Sequence, residues 1–280
     1  VQTCALPISY ERSRAITHYA FDHGITHFDL ANNYGPPYGS AEETMGRLMD
    51  DSFKPYRDEL FISSKAGYDM WEGPYGNWGS RKYLFASIEQ SLKRMHLDYV
   101  DLFYSHRYDP NTPLEETLQA LVDIVKQGKA LYIGISRWPL EALKFADKYL
   151  KERDVPLLIF QDKLNLLNRG PQESGTLDYC HDNGIGFIGF SPLAQGLLTD
   201  RYINGIPEDS RMAQGKFLKS DMLTPELIAQ LRAWNDEASV QGKTLAEKAL
   251  SWILEQQGVT SVIVGASSVP QLEKNLKAAE

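Results

Sequence analysis

The sequence has few cysteines, no long apolar run and no excess of positive charge. Only Cys4 and Cys180 are present in 280 residues, which excludes a disulfide framework and favours a reducing compartment, so we expect a cytoplasmic protein. No apolar run approaches the roughly 20 residues that a membrane-spanning helix needs. The net charge of −8 argues against binding to a phosphate backbone. We therefore expect neither a membrane nor a nucleic acid as partner.

The chain also has no Pro-, Gly- or Ser-rich linker that would divide it. Its hydrophobic share of 42% and charged share of 24% are typical of globular proteins. A length of 280 residues suits one large α/β barrel. We predict a single domain over residues 1–280, with residues 1–9 foreign to it. These first residues have no basic segment and do not form a signal peptide.

From Ile25 onward, short runs rich in Ile, Val, Phe and Tyr alternate with helical patterns. The predicted strands are Ile25–Leu30, Leu60–Lys65, Tyr99–Ser105, Ala130–Ser136, Leu157–Gln161, Ile185–Phe190 and Ser261–Gly265. The predicted helices are Tyr10–His23, Ala41–Met49, Arg81–Met95, Leu114–Gln127, Leu140–Leu150, Gln172–Asn183, Pro225–Gln241, Leu245–Gln256 and Pro270–Ala278.

This alternation predicts a parallel sheet with helical crossovers. Seven strands are one fewer than a (β/α)8 TIM barrel contains, and a strand missing before Tyr10 would account for the difference. We therefore predict such a barrel, with an open, doubly wound sheet as the alternative. The polar segment from Leu197 to Thr224 is predicted to be a functional loop.

Polar side chains follow the predicted strands at the point where each strand ends. They are Asp29, Lys65, His106, Ser136, Gln161, Ser191 and Ser267, with Tyr34 just past the first strand. A barrel gathers such positions at one mouth, where barrel enzymes place their active sites. Each residue alone has an ordinary structural explanation, such as a turn cap, a solvated strand end, a core histidine or a surface aromatic. Their recurrence at successive strand ends favours a site.

Four of these residues suit the reduction of a carbonyl. A phenol ordinarily titrates near pH 10, and a neighbouring ammonium group favours its ionised form, which makes it a better acid. Lys65 can supply that charge to Tyr34, and Asp29 can hold Lys65 in place. His106 can donate a hydrogen bond to a carbonyl oxygen. The hydride has to come from a cofactor, because no side chain can donate one.

Several motifs together resemble the aldo-keto reductases, from about Glu11 to Ala278. They are the segment Phe28–Gly35, the segment Ser40–Glu43 with Gly46, Ser63–Lys65, the stretch from Ser91-Leu92 to Asp101-Leu102, and Val262–Ser267. The long segment Gly67–Gly76 and the segment Tyr104–Arg107 are most similar to the bacterial branch of L-glyceraldehyde 3-phosphate reductases. That branch is related to the β-subunits of voltage-gated potassium channels.

The resemblance implies a role for each matching residue. Tyr34 would donate the proton, and Asp29, Lys65 and His106 would complete a catalytic tetrad. Besides Asp29, the cofactor would contact Ser136, Gln161, Ser191, Leu193, Gln195, Leu197, Arg201, Arg211, Ser267, Gln271 and Asn275. The substrate would meet Tyr34, His106, Arg107 and Trp71. No metal is expected, and the partners would be a small aldehyde and a further copy of the chain.

The chain departs from the family pattern in two places near the expected adenosine end. Ser268 stands where the bacterial relatives often have Arg, and Lys274 stands where the family commonly has Glu. The first difference removes a partner for a 2′-phosphate and the second adds positive charge, so NADP(H) remains the expected cofactor. The resemblance also implies that an N-terminal hairpin, a first strand and a C-terminal tail are lacking.

Two other patterns carry less weight. Gly184–Gly189 has the spelling GxGxxG but precedes a strand instead of opening a helix, which argues against a dinucleotide fingerprint. His23 and His27 flank Gly24 and do not suit a zinc pair. Two other functions remain open: a cofactor-binding regulatory subunit like the channel β-subunits, and a Schiff-base lyase that uses Lys65.

Overall fold

The computed structural model describes residues 9–203, 205 and 222–279. Seven strands form one parallel sheet, and their spatial order follows their order in the chain. The strands are β1 (His27–Asp29), β2 (Phe61–Ala66), β3 (Val100–Ser105), β4 (Ala130–Ser136), β5 (Leu157–Lys163), β6 (Gly186–Phe190) and β7 (Val259–Val262). A doubly wound sheet reverses its strand order at a switch point, so the consecutive order confirms the barrel-type fold.

Helices follow the strands and cover the sheet. They are α1 (Tyr10–Asp22), α2 (Ser40–Leu48), α3 (Arg81–Met95), α4 (Leu114–Lys126), α5 (Leu140–Lys151), α6 (Gly170–Glu173), α7 (Thr176–Asp182), α8 (Pro225–Val240), α9 (Leu245–Leu254) and α10 (Val269–Leu276). A π-helical turn (Met49–Phe53) and 3₁₀ turns at Lys54–Glu59, Ala194–Gly196, Asp200–Tyr202 and Lys277–Ala279 complete the helical segments of the described residues. None of the described helices is long and apolar enough to cross a bilayer.

Within the described residues, β1 and β7 are the two edges of the curled sheet. Helix α1 nevertheless contacts α10, so the helical layer continues across the space between these edges. The expected (β/α)8 fold class is confirmed: the described residues form seven of its parallel strands, in the order that a barrel has.

Two of the three apolar clusters among the described residues pack against the strands of the barrel. One lies between the strands and the surrounding helices. The other lies inside the curl of the sheet and contains Leu102, Tyr104, Ile159, Ile188 and Ile263. These inner side chains come from β3, β5 and β6 and from Ile263, the residue after β7, as the alternation of strand side chains requires.

The predicted element boundaries differ from the structure by one or two residues at many ends, and by more than that in two places. Strand β7 begins two residues before the predicted Ser261 and ends at Val262. The helix predicted over Gln172–Asn183 is two helices, α6 and α7. They are separated by Ser174 and Gly175, and Gly175 has a φ of 75° that continuous helix does not permit. Most of the predicted functional loop, including Arg211, lies outside the described residues.

Strand register determines which side chains meet at the mouth. Asp29 pairs with Ser63 across β1 and β2, Lys65 pairs with Tyr104, and Ser136 pairs with Gln161. The carboxyl ends of neighbouring parallel strands therefore lie side by side along one edge of the sheet.

Candidate active site

A buried ion pair forms the centre of the site. Lys65 on β2 donates from Nζ to the Oδ2 atom of Asp29 on β1. Both side chains are almost wholly removed from solvent, at 0% and 1% exposed. Lys65 also donates to the carbonyl oxygen of Leu30 at 2.8 Å, so the end of β1 fixes the ammonium group with two acceptors.

Hydrogen bonds hold the other oxygen of Asp29. Its Oδ1 atom accepts from Ser63 Oγ at 2.7 Å and from Gln161 Nε2 at 3.4 Å. Burial alone would raise the pKa of Asp29, but the charge of Lys65 and the hydrogen bonds from Lys65 and Ser63 outweigh burial and leave the pKa below its ordinary value. Asp29 is therefore ionised at neutral pH, and it stabilises a buried cation at the mouth of the barrel.

Tyr34 lies directly beside this cation. The backbone beyond β1 still follows β2, because Asn32 N donates to the Lys65 carbonyl at 2.9 Å, and the next turn brings Tyr34 over the strand ends. Lys65 Nζ lies 5.2 Å from the centre of the Tyr34 ring. The ring of Tyr34 also meets His106 edge to face, at 5.9 Å between ring centres. The tetrad predicted from strand ends is thus brought together.

His106 follows β3 immediately, and its backbone N–H donates to Ala66 O at 2.9 Å. Burial and the nearby charge of Lys65 lower its pKa well below 6.5. The imidazole is therefore neutral at neutral pH and has one N–H to donate. Its Nδ1 atom is buried and has no hydrogen-bond partner among the described residues.

The segment after β6 contains a cluster of unusual backbone conformations. Three residues other than glycine adopt left-handed backbone angles there: Ser191 (φ 53°), Ala194 (φ 46°) and Gln195 (φ 59°). Such conformations are costly and concentrate at ligand sites. Asn165 supports the loop by donating from Nδ2 to Ser191 O at 2.9 Å. Sequence reasoning predicted Ser191 and Gln195 here but missed Asn165.

Two buried polar atoms test whether these residues suit a dinucleotide. Gln195 Oε1 and Asn275 Nδ2 are buried without a hydrogen-bond partner among the described residues. One is an acceptor and the other a donor, on separate elements that both hold predicted cofactor residues. Unpaired buried polar atoms are costly. A polar ligand that reaches both the segment after β6 and helix α10 would give each atom a partner, and a dinucleotide fits that description.

The remaining predicted cofactor residues that the structure describes lie at strand ends, before α10 and on the turns after β6. Ser136 ends β4, and Gln161 lies beside it on β5. Ser267 precedes α10 and donates from its N–H and Oγ to Gln271 Oε1, at 2.8 and 3.0 Å. Leu193 and Leu197 flank the left-handed turn, and Arg201 is exposed on the 3₁₀ turn that follows.

A cavity of about 490 Å³ opens beside these loops. It is lined by Ser191 and Gln195 and by residues that sequence reasoning missed, among them Arg137, Trp138, Asp162 and Phe190. Arg137 and Trp138 directly follow the predicted site residue Ser136, so their place at the strand end was a usable signal. Phe190 is the last residue of β6 and has the same signal.

Of the other predicted substrate residues, Trp71 lies in the loop Gly67–Gly79, and Arg107, which follows β3, is bonded to that loop. Arg107 donates from Nε to Gly67 O and from Nη2 to Asn77 Oδ1, both at 2.6 Å. Trp71 packs on Tyr83 of α3. It also lines a second cavity of about 590 Å³.

The chain matches the model of the Aldo/keto reductase family over residues 2–280. It is 58% identical over 272 residues to an L-glyceraldehyde 3-phosphate reductase of Escherichia coli O157:H7, a match that covers 96% of this chain and 79% of the relative. The K12 strain has a relative of the same description at 57%. A probable voltage-gated potassium channel subunit beta of Arabidopsis thaliana is 34% identical over 279 residues, which are 98% of this chain and 83% of the relative.

Proposed function

The chain belongs to the aldo/keto reductase family, and we propose that it reduces small aldehydes with NADPH, with Tyr34 as the proton donor. The expected substrates are compounds such as glyceraldehyde 3-phosphate or methylglyoxal. The proposal for the first is supported by the 58% identity to an L-glyceraldehyde 3-phosphate reductase.

One observation supports the chemistry most strongly. A lysine ammonium, fully buried and paired with Asp29, lies 5.2 Å from the Tyr34 ring centre. A buried charge acts strongly on its neighbours because little water screens it. Lys65 can therefore stabilise the phenolate that remains when Tyr34 gives up its proton.

When bound, the reduced nicotinamide supplies a hydride to the carbonyl carbon. Tyr34 Oη gives its proton to the carbonyl oxygen, so that the aldehyde becomes a primary alcohol. Neutral His106 donates a hydrogen bond to the same oxygen and orients it. Asp29 keeps Lys65 oriented through the reaction, and the tyrosine afterwards regains a proton from solvent.

Residues on both rims of the mouth would hold the cofactor. Ser136 and Gln161 would face the nicotinamide. The pyrophosphate and ribose would meet Ser191, Leu193, Gln195 and Leu197, with Arg201 and Arg211. Ser267, Gln271 and Asn275 would hold the adenosine end. Ser268 caps α10 by accepting from Gln271 N at 3.4 Å, and Lys274 on the same helix supplies the positive charge that favours NADPH over NADH.

NADPH oxidation, followed by absorbance with methylglyoxal and with glyceraldehyde 3-phosphate, tests this function. Tyr34→Phe removes only the hydroxyl, and we expect kcat to fall roughly 100- to 10,000-fold, as for loss of a general acid. Tyr38→Phe, which removes the hydroxyl of an exposed tyrosine in the same loop, is the matched control. Full turnover in Tyr34→Phe would overturn the assignment of the proton donor.

The 34% identity to a potassium channel subunit beta supports a second candidate, a cofactor-binding regulatory subunit with little turnover. Fluorescence titration with NADPH separates the two functions. Tight NADPH binding without oxidation by any small aldehyde would favour the regulatory subunit, whereas turnover that depends on Tyr34 favours the reductase.

A further inference from the structure

Tyr34 and His106 act on the same carbonyl oxygen in the proposed reaction, but they lie on different segments of the chain. Tyr34 lies in the turn after β1, whereas His106 directly follows β3, and β2 separates these two strands in the sheet. Their rings nevertheless meet, at 5.9 Å between ring centres. A residue that holds the two segments together has a catalytic role only if the proposed function is correct, because only that reaction needs both groups on one oxygen.

One hydroxyl group on helix α3 contacts both segments. The Oη atom of Tyr83 accepts a hydrogen bond from Asn32 Nδ2 at 3.1 Å, and it donates to the carbonyl oxygen of Tyr68. Asn32 lies two residues before Tyr34, and Tyr68 lies two residues after the end of β2. Tyr83 is wholly buried, and burial raises the pKa of its hydroxyl above the ordinary value. The hydroxyl therefore keeps the proton that it donates.

The turn that carries Tyr34 is anchored through Asn32. The backbone N–H of Asn32 donates to Lys65 O at 2.9 Å, which bonds the turn to β2. The side chain of Asn32 is wholly buried, and it donates towards α3, to Tyr83 Oη and to Ser87 Oγ at 3.3 Å. The turn is thus bonded to the sheet through its backbone and to α3 through this side chain.

The segment beside His106 is anchored through Tyr68. The ring of Tyr68 packs edge to face on the imidazole, at 4.7 Å between ring centres. Its Oη atom accepts a hydrogen bond from Arg137 Nη1 at 3.0 Å, and the Arg107 guanidinium carbon lies 4.4 Å from the ring centre. These contacts hold the ring of Tyr68, whereas Tyr83 holds its backbone carbonyl.

The backbone that leads into Tyr68 passes directly against the histidine. A Cβ at Gly67 would come within 3.0 Å of His106 Cβ and within 3.2 Å of Arg107 N. Close-packed groups of this kind cannot shift independently. A displacement of the backbone at Gly67 and Tyr68 would therefore displace His106 as well.

We propose that Tyr83 is a positioning residue whose hydroxyl fixes the Tyr34 turn and the segment beside His106 relative to each other. Tyr83 acts through Asn32 on one side and through Tyr68 on the other. A misplacement of about 1 Å between reacting groups can lower a rate about 100-fold. Loss of the hydroxyl would therefore slow the chemical step much more than it would weaken the binding of NADPH or of the aldehyde.

Single-turnover reduction of methylglyoxal by the NADPH-bound enzyme measures the chemical step. We expect Tyr83→Phe, which removes only the hydroxyl, to lower the single-turnover rate constant roughly 10- to 100-fold. The KM values for NADPH and for methylglyoxal should change by less than about threefold. A variant that is merely unfolded in part would lose amplitude and retain the wild-type rate constant, so the two effects are separable.

Two further variants serve as matched controls. Tyr149→Phe removes a hydroxyl that donates to Gln119 Oε1 at 3.0 Å, between α5 and α4, and it should retain the wild-type rate constant. Ser87→Ala removes the second acceptor of Asn32 but leaves the Tyr83 hydroxyl in place. It should therefore lower the rate constant less than Tyr83→Phe does.

Amide hydrogen exchange, followed by mass spectrometry, tests the same link without turnover. In Tyr83→Phe, residues 31–34 and residues 67–70 should both exchange roughly fivefold faster or more, whereas Ser87→Ala should affect only the first segment. Unchanged exchange in either segment of Tyr83→Phe would overturn the inference. So would an unchanged single-turnover rate constant, or an equal loss of rate in Tyr149→Phe. If the wild type binds NADPH but reduces no aldehyde, the proposed function fails, and the exchange rates still decide whether Tyr83 joins the two segments.

Discussion

The buried ion pair of Lys65 and Asp29 lowers the stability of the fold but supplies a charge that the chemistry needs. Removing two charges from water carries a penalty that their attraction only partly repays. The ammonium group still has several partners, since Leu30 O accepts a hydrogen bond from it at 2.8 Å. The site therefore holds a fixed positive charge beneath Tyr34 that water cannot screen.

This arrangement predicts how much the free energy of unfolding falls when one partner of the ion pair is removed. Lys65→Met leaves Asp29 buried without its cation, and we expect the free energy of unfolding to fall by about 3–5 kcal/mol. The double variant Lys65→Met/Asp29→Asn removes the stranded charge and should recover a substantial part of that loss. Urea denaturation followed by circular dichroism measures both values.

The control for this prediction is an exposed pair. Lys129 meets Glu89, whose side chain is 57% exposed, and Lys129→Met should cost no more than about 1 kcal/mol. If Lys65→Met were as mild as Lys129→Met, or if the double variant were no more stable than Lys65→Met alone, the coupling argued here would be wrong.

At the scale of elements, glycine in the strands makes room for large inner side chains. Gly134 on β4 lies against Tyr104 on β3, and a Cβ at this position would come within 2.4 Å of two ring carbons. Gly189 on β6 is equally close, at 2.5 Å, but to the terminal methyl of Ile253. A buried ring cannot rotate away from a clash, whereas the end of an isoleucine can change rotamer.

Gly134→Ala should therefore destabilise the protein more than Gly189→Ala. We expect a loss of about 2–4 kcal/mol for the first, as for overpacking of a rigid core, and about 1 kcal/mol less for the second. Thermal or urea unfolding of the two variants checks the order. Equal losses would mean that the sheet itself moves apart and that the rigidity of the Tyr104 ring is not the cause.

Sequence patterns predicted elements well wherever the cause was local. All seven strands were predicted, and α3 was predicted with its correct ends because Ser80 caps its start. The end of α6 was missed, since the Gln172–Asn183 pattern continues through Ser174 and Gly175. The start of β7 was missed because Val259 owes its strand pairing to Phe187 on β6.

The same distinction applies to the candidate site. The parallel strands bring Asp29, Lys65 and His106 together, so strand ends were enough to predict that grouping. What Arg107 contacts depends on the path of the Gly67–Gly79 loop, which no periodicity specifies. The position of Arg137 directly after Ser136 was predictable, but its left-handed backbone, with φ at 58°, is set by its neighbours and not by its residue type.

At the scale of the whole molecule, buried histidines link folding to pH. His27 on β1 bonds through Nε2 to Ser63 Oγ at 3.0 Å and packs on Phe61. Burial lowers its pKa from 6.5 to about 4, although the negative charge of Asp29 opposes the shift. The unfolded chain therefore takes up a proton between these pH values and the folded protein does not, so the free energy of unfolding falls as the pH drops from about 6.5 towards 4.

The size of this effect follows from the difference between 6.5 and about 4, which corresponds to at most about 3 kcal/mol. Two other groups act in the same direction at low pH. The pKa of His106 is also lowered, and the lowered pKa of Asp29 means that its protonation destabilises the folded protein.

His27→Gln keeps a polar group near Ser63 but cannot gain this proton. We expect its unfolding free energy to fall less between pH 7 and pH 5 than that of the wild type, as measured by urea denaturation at each pH. His181→Gln, at an exposed position on α7, should retain the wild-type slope. Identical slopes in all three proteins would show that His27 does not contribute to acid sensitivity.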